Sequence, residues 1–381
     1  MNFSWSEEQI EFKNAVIEFA KKQLNDDLIH RDENSVFPLG LWQKCADFGI
    51  LGLPFPEKYG GKGKDILTTI CVMEGLGYAC KDNGLIFGMS AQIWDVQMPI
   101  MDFGTEEQKE KYLPGLCNGE LKGSIAMTEP GAGSDAYSIS TSAEKKEDYY
   151  ILNGTKTFVT NGPISDLFLI FATTNKKLGF MGITAFLIEK GLEGFQIGTN
   201  IKKMGLKTNP WSELIFDNCK VPVSNRMGKE GNGVSIFKDS MEWERSCILA
   251  SYIGSMERQL ESCIKYVNER KQFKQSIGKF QSVANKIVDM KVRLETARLI
   301  LYRSVWLKEN SLSTPMDSAM TKLYLSESWV KSCLDAVQLH GGYGYTTEFE
   351  LERDLRDSVG STLFAGTSEI QRNIIAQHLG I

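Results

Sequence analysis

The spacing of apolar residues changes twice along the chain, and that change restricts its architecture more than any single motif. Over residues 1–120, apolar side chains recur every three or four positions, as at Ile10, Phe12, Val16, Phe19 and Ala20, and again at Leu41, Trp42 and Ala46. That interval lines one stripe of a helix. Over 121–231 the pattern gives way to short β-branched and aromatic runs, YYILNGTKTFVTN, DLFLIFATT, GITAFLIEK and SELIFDNCKVPV, separated by Asn-Gly, Gly-Pro and Lys-rich turns. These read as strands. Over 232–381 the helical interval returns, with Leu249, Ile253, Met256, Leu260, Ile264 and Val267 on one stripe and MDSAMTKLYLSESWVKSCLDAVQLHGG beyond it. The expected fold is α+β: an N-terminal α-helical domain (1–120), a middle β domain (121–231) and a C-terminal α-helical domain (232–381).

Composition narrows the function classes. With 42% hydrophobic residues in 381, the chain can bury a sizeable core. A net charge of −5 provides no positive field for a phosphate backbone, so nucleic acid is not an expected partner. The eight cysteines are dispersed without a CxxC pair, and MNFSWSEEQ has neither a basic start nor an apolar signal core, which points to the reducing cytoplasm. His30, His340 and His378 lack zinc-ligand spacing, so no metal is expected. No segment reaches the roughly 20 apolar residues of a membrane span.

Five short motifs carry the chemistry. In MTEPGAGSD (127–135), Pro130, Gly131 and Gly133 make a tight loop whose bare backbone can approach a planar ligand, although an ordinary turn has the same composition. Next come Phe-Val-Thr-Asn (158–161), ERKQF (269–273) followed by Gln281, QLHGGYGYT (338–346) and AGTSEIQR (365–372). Arg270 ends a long helix, where a cation complements the dipole. Thr367 and Glu369 stand at a helix start, where free amides attract an anion or where Thr367 is a plain cap.

In this order, and over essentially the whole chain, these motifs resemble the acyl-CoA dehydrogenase superfamily. The resemblance implies a β-barrel-like middle domain, a C-terminal four-helix bundle and FAD as cofactor. It implies that Met127 and Thr128 meet the polar edge of the flavin, while Phe158, where the family often has Trp, and Thr160 cover the ring. Arg270, Gln272, Phe273 and Gln281, with Gln338, Gly341 and Gly342, match positions that hold the pyrophosphate and adenosine of a neighbouring subunit's FAD. Thr367 and Glu369 match further FAD contacts. A homodimer or, as usual in the family, a homotetramer follows from that sharing.

The chain departs from the pattern at Ala365, where many relatives carry the catalytic Glu just before Gly-Thr-Ser. A methyl group cannot accept a proton. A minority of the family, including isovaleryl and long-chain enzymes, use a Glu just before the arginine that matches Arg245, which makes Glu244 the candidate base. Helical spacing supports it independently, because Phe237, Met241, Cys247 and Ile248 share its face. Desolvation there raises a carboxylate's proton affinity, as a base requires. The plain alternative is an exposed Glu244 on a helix where Glu242 and Arg245 pair at i, i+3.

The resemblance implies abstraction of the α-proton by Glu244, hydride transfer to flavin N5, and a thioester oxygen held by the Ala365 amide and a ribityl hydroxyl. Arg245, Ala365 and Ser134 are the residues expected at the substrate. EWERSCILASYIG, with Lys274 in place of the usual Gly, resembles the prolyl carrier-protein oxidase and dehydrogenase branch. The favoured reaction is therefore oxidation of a prolyl thioester on a carrier protein, with dioxygen or an electron-transfer flavoprotein as acceptor. A short or branched acyl-CoA substrate is the alternative, and a flavin monooxygenase or a silent scaffold on the same fold are readings from other classes.

Overall fold

The computed structural model describes residues 4–381. The chain begins with helices α1 (Glu7–Gln23), α2 (Leu28–Asn34), α3 (Leu39–Phe48), α4 (Ile66–Ala79) and α5 (Asn83–Ala91). A π-helical turn, Gln92–Gln97, leads into α6 (Met98–Phe103) and α7 (Glu106–Cys117). Ser6 and Gln9 form a capping box at the start of α1, satisfying amide groups that the helix leaves free. Val16 and Ala20 are buried as their stripe predicts, but Ile10 is 47% exposed. Ile10 lies six residues before Val16, about 120° round the helix, and so misses the face that meets α4.

The middle region is one eight-stranded sheet built from β1 (Gly123–Ala126), β2 (Ser142–Lys145), β3 (Tyr149–Thr160), β4 (Leu167–Thr173), β5 (Ile183–Glu189), β6 (Phe195–Ile197), β7 (Trp211–Pro222) and β8 (Arg226–Met227). The strand order is β6-β7-β3-β2-β4-β5-β8, with β1 beside β4. The four long apolar runs of the sequence became β3, β4, β5 and β7; the short β1, β2, β6 and β8 lack a run of their own and exist because these neighbours offer them a ladder. Every residue of β4 is buried, as in a strand covered on both faces.

Four long helices then pack on one another: α8 (Gly233–Cys247), α9 (Ala250–Glu269), α10 (Gln281–Glu309) and α11 (Pro315–His340). A hairpin of β9 (Lys271–Gln272) and β10 (Gln275–Ser276) separates α9 from α10, and α12 (Leu351–Gly360) and α13 (Ser368–Leu379) close the chain. On α9 the stripe holds except at Ile264, which is 39% exposed while Cys263 takes the inward place at that turn.

The two helical blocks share one core in which Val16, Trp42, Ile253 and Trp329 belong to the same cluster. They meet where α4 crosses α9, and glycine makes the approach possible. A Cβ on Gly77 would lie 1.8 Å from the Ser251 carbonyl oxygen, and one on Gly254 would lie 2.0 Å from that of Glu74. The Glu74 carboxylate is buried at this crossing, held by Lys13 at 2.6 Å, Arg298 at 3.1 Å and the Tyr302 hydroxyl. No described helix is long and apolar enough to cross a membrane. All eight cysteines are unbridged and buried.

Candidate functional site

Glu244 lies on α8 among apolar residues and is 7% exposed. Met241, Cys247 and Ile248 are buried around it, and Phe237 is half-buried. Burial pushes its carboxyl up to about 7, against the pull of the nearby Arg245 and Lys322 cations. The pairing of Glu242 with Arg245 does not occur. Glu242 instead meets Lys308 at 3.2 Å, because Arg245 turns the other way and donates from Nε to the Ala365 carbonyl at 3.0 Å.

That bond ties α8 to the turn before α13. Ala365 has φ of 55°, in the left-handed region that a side chain disfavours. The turn is held there by several donors. The Ala365 carbonyl also accepts from Gln371 Nε2 at 3.0 Å, and the Gly366 carbonyl accepts from Gln371 and from Lys322 Nζ, both at 2.8 Å. Thr367 caps α13 by accepting from the Ile370 amide. With both carbonyls directed at the helices, the Ala365 N–H has no acceptor among the described residues.

Lys322 is the residue that sequence reading missed here. It is buried on α11, and burial holds its ammonium down to about 8 even though Glu244 favours the charge. It therefore joins Glu244 electrostatically to the carbonyl of Gly366. In MDSAMTKLYLSESWV nothing distinguishes it from a solvated lysine; only the register of α11 against α8 and α13 turns it inward.

A second set of residues gathers at the edge of the sheet. Met127 and Thr128 follow β1, and the loop after them is closed by reciprocal backbone bonds between Glu129 and Ala132 at 3.1 and 3.0 Å. Neither Gly131 nor Gly133 has positive φ, so the tight loop does not need glycine for its backbone. Both are exposed, with nothing within 4 Å of an added Cβ, which leaves free surface for a ligand to lie against. Ser134 is exposed in the same loop. The loop is anchored by a buried ion pair that sequence reading also missed, Glu129 to Lys156 at 2.8 Å. Lys156 Nζ donates as well to the Met127 carbonyl at 3.0 Å, and Glu129 accepts from Ser140 and Thr141. Burial alone would raise Glu129, but Lys156 and those hydrogen bonds bring it down to about 2. Lys156 itself is lowered by burial to about 8, opposed by Glu129.

Phe158 stands on β3 where the register against β7 slips between Lys156 and Val159. A bulge re-aims its side chain. Its φ is 56° and its ring is 53% exposed, 5.0 Å from that of Trp211. Thr160, two residues on, pairs with Trp211 across the ladder.

A third set lies at the far end of the helical block. Arg270 is the C-cap of α9, and its guanidinium stands 5.7 Å from the Tyr343 ring. Phe273 and Lys274 both have positive φ, 49° and 65°, and form the tip of the β9–β10 hairpin. A two-residue turn of this kind imposes that conformation, which is why glycine is the easier residue at 274. Gln272, Gln281, Gln338, Gly341 and Gly342 are all exposed, and Phe273 is 86% exposed. No hydrogen bond or ring contact among the described residues joins this set to Phe158 or Glu244. Glu369 is exposed at the start of α13. Among the described residues no group of three His, Cys, Asp or Glu could hold a metal.

Comparison with known proteins covers the whole of this framework. Residues 6–120, 124–219 and 231–380 match the N-terminal, middle and C-terminal domains of acyl-CoA dehydrogenase. The chain is similar to L-prolyl-[peptidyl-carrier protein] dehydrogenase of Serratia sp., 42% identical over 381 residues, spanning 100% of this chain and 99% of the relative. Among solved structures it resembles the prolyl acyl carrier protein oxidase AnaB, with a TM-score of 0.98 and 54% identity over 99% of this chain and 100% of that one. It also resembles PigA with FAD and proline, with a TM-score of 0.97 and 42% identity over 100% of this chain and 99% of that one. Three domain matches in sequence order, and similarity end to end, place the protein in the acyl-CoA dehydrogenase family.

Proposed function

We propose that this protein is an FAD-dependent enzyme that dehydrogenates a prolyl group held as a thioester on a carrier protein. One observation carries the dehydrogenation: the chain has no acid at Ala365, and it buries Glu244 on α8 with Arg245 and Lys322 tied to the same turn. The prolyl thioester is supported by the similarity to L-prolyl-[peptidyl-carrier protein] dehydrogenase and to the prolyl acyl carrier protein oxidase AnaB. The residues present also fit a flavin. An exposed ring on a bulge, two glycines with open space above them, and Thr128 and Thr160 beside them suit a flat ligand with a polar edge. Met127, Thr128, Phe158 and Thr160 would hold that end of FAD, and Thr367 and Glu369 at the start of α13 would contribute contacts.

Bound FAD supplies the acceptor for the hydride that leaves the β-carbon. The protein supplies the rest. Glu244, ionised, takes the α-proton; the Ala365 N–H donates to the thioester oxygen, where negative charge develops as the proton leaves. Arg245 and Gln371 keep that amide in place by fixing the Ala365 carbonyl. The apolar wall of α8 excludes water, so the proton taken by Glu244 is not lost to bulk solvent.

Arg270, Gln272, Phe273, Gln281, Gln338, Gly341 and Gly342 would serve the FAD of a second copy of the chain, in a homotetramer. Support comes from the exposure of this set and from the apolar residues Val288, Val292 and Leu299 of α10, each at least 51% exposed. Arg270→Ala should then weaken FAD retention by about tenfold or more, through loss of a charge-assisted bond to phosphate. Equilibrium dialysis checks this, and unchanged flavin occupancy rejects the assignment.

Anaerobic mixing with prolyl-loaded carrier protein tests the function as a whole. Flavin absorbance should bleach with that substrate and not with butyryl-CoA. Bleaching with butyryl-CoA alone would favour a short-chain acyl-CoA dehydrogenase. Protein purified without flavin colour and unable to bind added FAD would indicate a scaffold, and an oxygenated product a monooxygenase. Admitting air, or an electron-transfer flavoprotein, to the bleached enzyme identifies the acceptor.

A further inference from the structure

A second buried carboxyl group, Asp95, interacts electrostatically with Glu244 and has no role in the mechanism above. It sits in the π-helical turn Gln92–Gln97, a local widening often found at functional sites, and is 2% exposed. Both glutamines of that turn are tied into the fold. Gln92 donates to the Leu116 carbonyl at 3.0 Å and accepts from the Gly123 amide at 2.8 Å, and Gln97 donates to the Leu51 carbonyl at 3.1 Å. Asp95 has no such anchor: its Oδ1 is sealed from solvent and has no hydrogen-bond partner.

Helix α8 packs directly on this turn, with the rings of Trp94 and Trp243 stacked at 5.9 Å and an interplanar angle of 15°. Asp95 and Glu244 each follow one member of that stack and come within electrostatic reach of each other. Burial, and then the charge of Glu244, push Asp95 well above the usual carboxylate range. Tyr252 adds a buried hydroxyl that also lacks a partner and also feels Glu244. Arg245 and Lys322 act on Glu244, whereas no cation among the described residues acts on Asp95, and a lone acid in a sealed site is costly to ionise unless a ligand supplies the positive charge.

The prolyl group has such a charge in the right place. Its ring nitrogen is bonded to the same α-carbon from which Glu244 takes the proton, so a substrate that meets the base there presents its protonated amine within two bonds of that proton. We propose that Asp95 accepts a hydrogen bond from the protonated ring nitrogen of the substrate and is the residue that selects a prolyl over a simple acyl thioester. The inference rests on the prolyl reading. A fatty acyl chain has only a methylene to offer, and it would leave the buried acid without a partner, a mismatch that enzymes discriminate strongly.

The test uses the FAD-loaded enzyme and two carrier-protein thioesters, prolyl and cyclopentanecarbonyl, which has the same ring with carbon in place of nitrogen. Wild type should bleach with the prolyl thioester faster by about 10²-fold or more. Asp95→Asn and Asp95→Leu should lose most of that preference by slowing on prolyl alone, and Asp95→Glu should restore part of it. A preference unchanged in Asp95→Asn, with prolyl still bleaching wild type, overturns the role of Asp95 and leaves the prolyl reading intact. A wild type that bleaches with neither thioester overturns both. Melting temperature gives a readout independent of turnover: without substrate at pH 8, Asp95→Asn should melt no lower than wild type, because an unpaired acid is removed. A clear fall would reveal a protein partner for Asp95 and reject the proposal.

Discussion

Glu244→Gln should keep its FAD and fold but slow flavin bleaching by about 10²–10⁴-fold, the usual worth of a general base. The amide has the shape of the acid and cannot take the α-proton. Rapid mixing under anaerobic conditions measures the loss; turnover near wild type would remove Glu244 from the mechanism. The pH dependence follows from its raised proton affinity. Only the ionised form is a base, so bleaching by wild type should rise with pH up to about 7 and level off above it. Stability should move the opposite way. Between the ordinary carboxylate range and about 7, the folded protein keeps a proton that the unfolded chain releases, so the contribution is most favourable at low pH and declines as pH approaches 7. Glu244→Gln removes that decline. The variant should melt higher than wild type at pH 8 and close to it at pH 4.5, and thermal melts at those two values check the sign.

Lys156→Met should cost about 3–5 kcal/mol, because removing one partner of a buried pair strands the other. Glu129 is 4% exposed, and without Lys156 its charge has only the Ser140 and Thr141 donors. The effect reaches the site, since Lys156 also holds the Met127 carbonyl at 3.0 Å in front of the glycine loop. FAD retention should therefore fall with stability. Replacing both residues, as Glu129→Leu with Lys156→Met, should cost less than the two single changes together, as expected for groups in contact. Denaturant melts of the four proteins provide the coupling; strict additivity would mean that the pair contributes nothing jointly. Glu129, lowered to about 2, contributes stability above the ordinary carboxylate range that is lost as pH falls through about 2.

Several features are legible in local pattern alone. Periodicity and turn residues describe β3, β4, β5 and β7, because a strand's own side chains state its interval. They also place Glu244 on an apolar face of α8, where it is indeed buried. Local pattern failed where a residue's surroundings come from elsewhere in the chain. Ile10 fits a helical interval and still faces out, because only α4 decides which side of α1 is inside. Glu242 and Arg245 have the spacing of an ion pair, yet Lys308 and the Ala365 carbonyl, both distant in sequence, make better partners. Phe158 reads as an ordinary strand residue; the slip in register with β7 turns its ring outward.

The order of helix, sheet and helix, the motifs of the family and the absence of an acid at 365 are all written in the chain. Those properties depend on neighbours a few residues apart, and the interval between apolar side chains records them directly. Packing between distant elements brings Lys322 and Asp95 within electrostatic reach of Glu244 and sets Lys156 against Glu129. A charge is costly to bury, so its presence inside can be justified only by partners or ligands that the fold brings from other elements, and no local pattern records them.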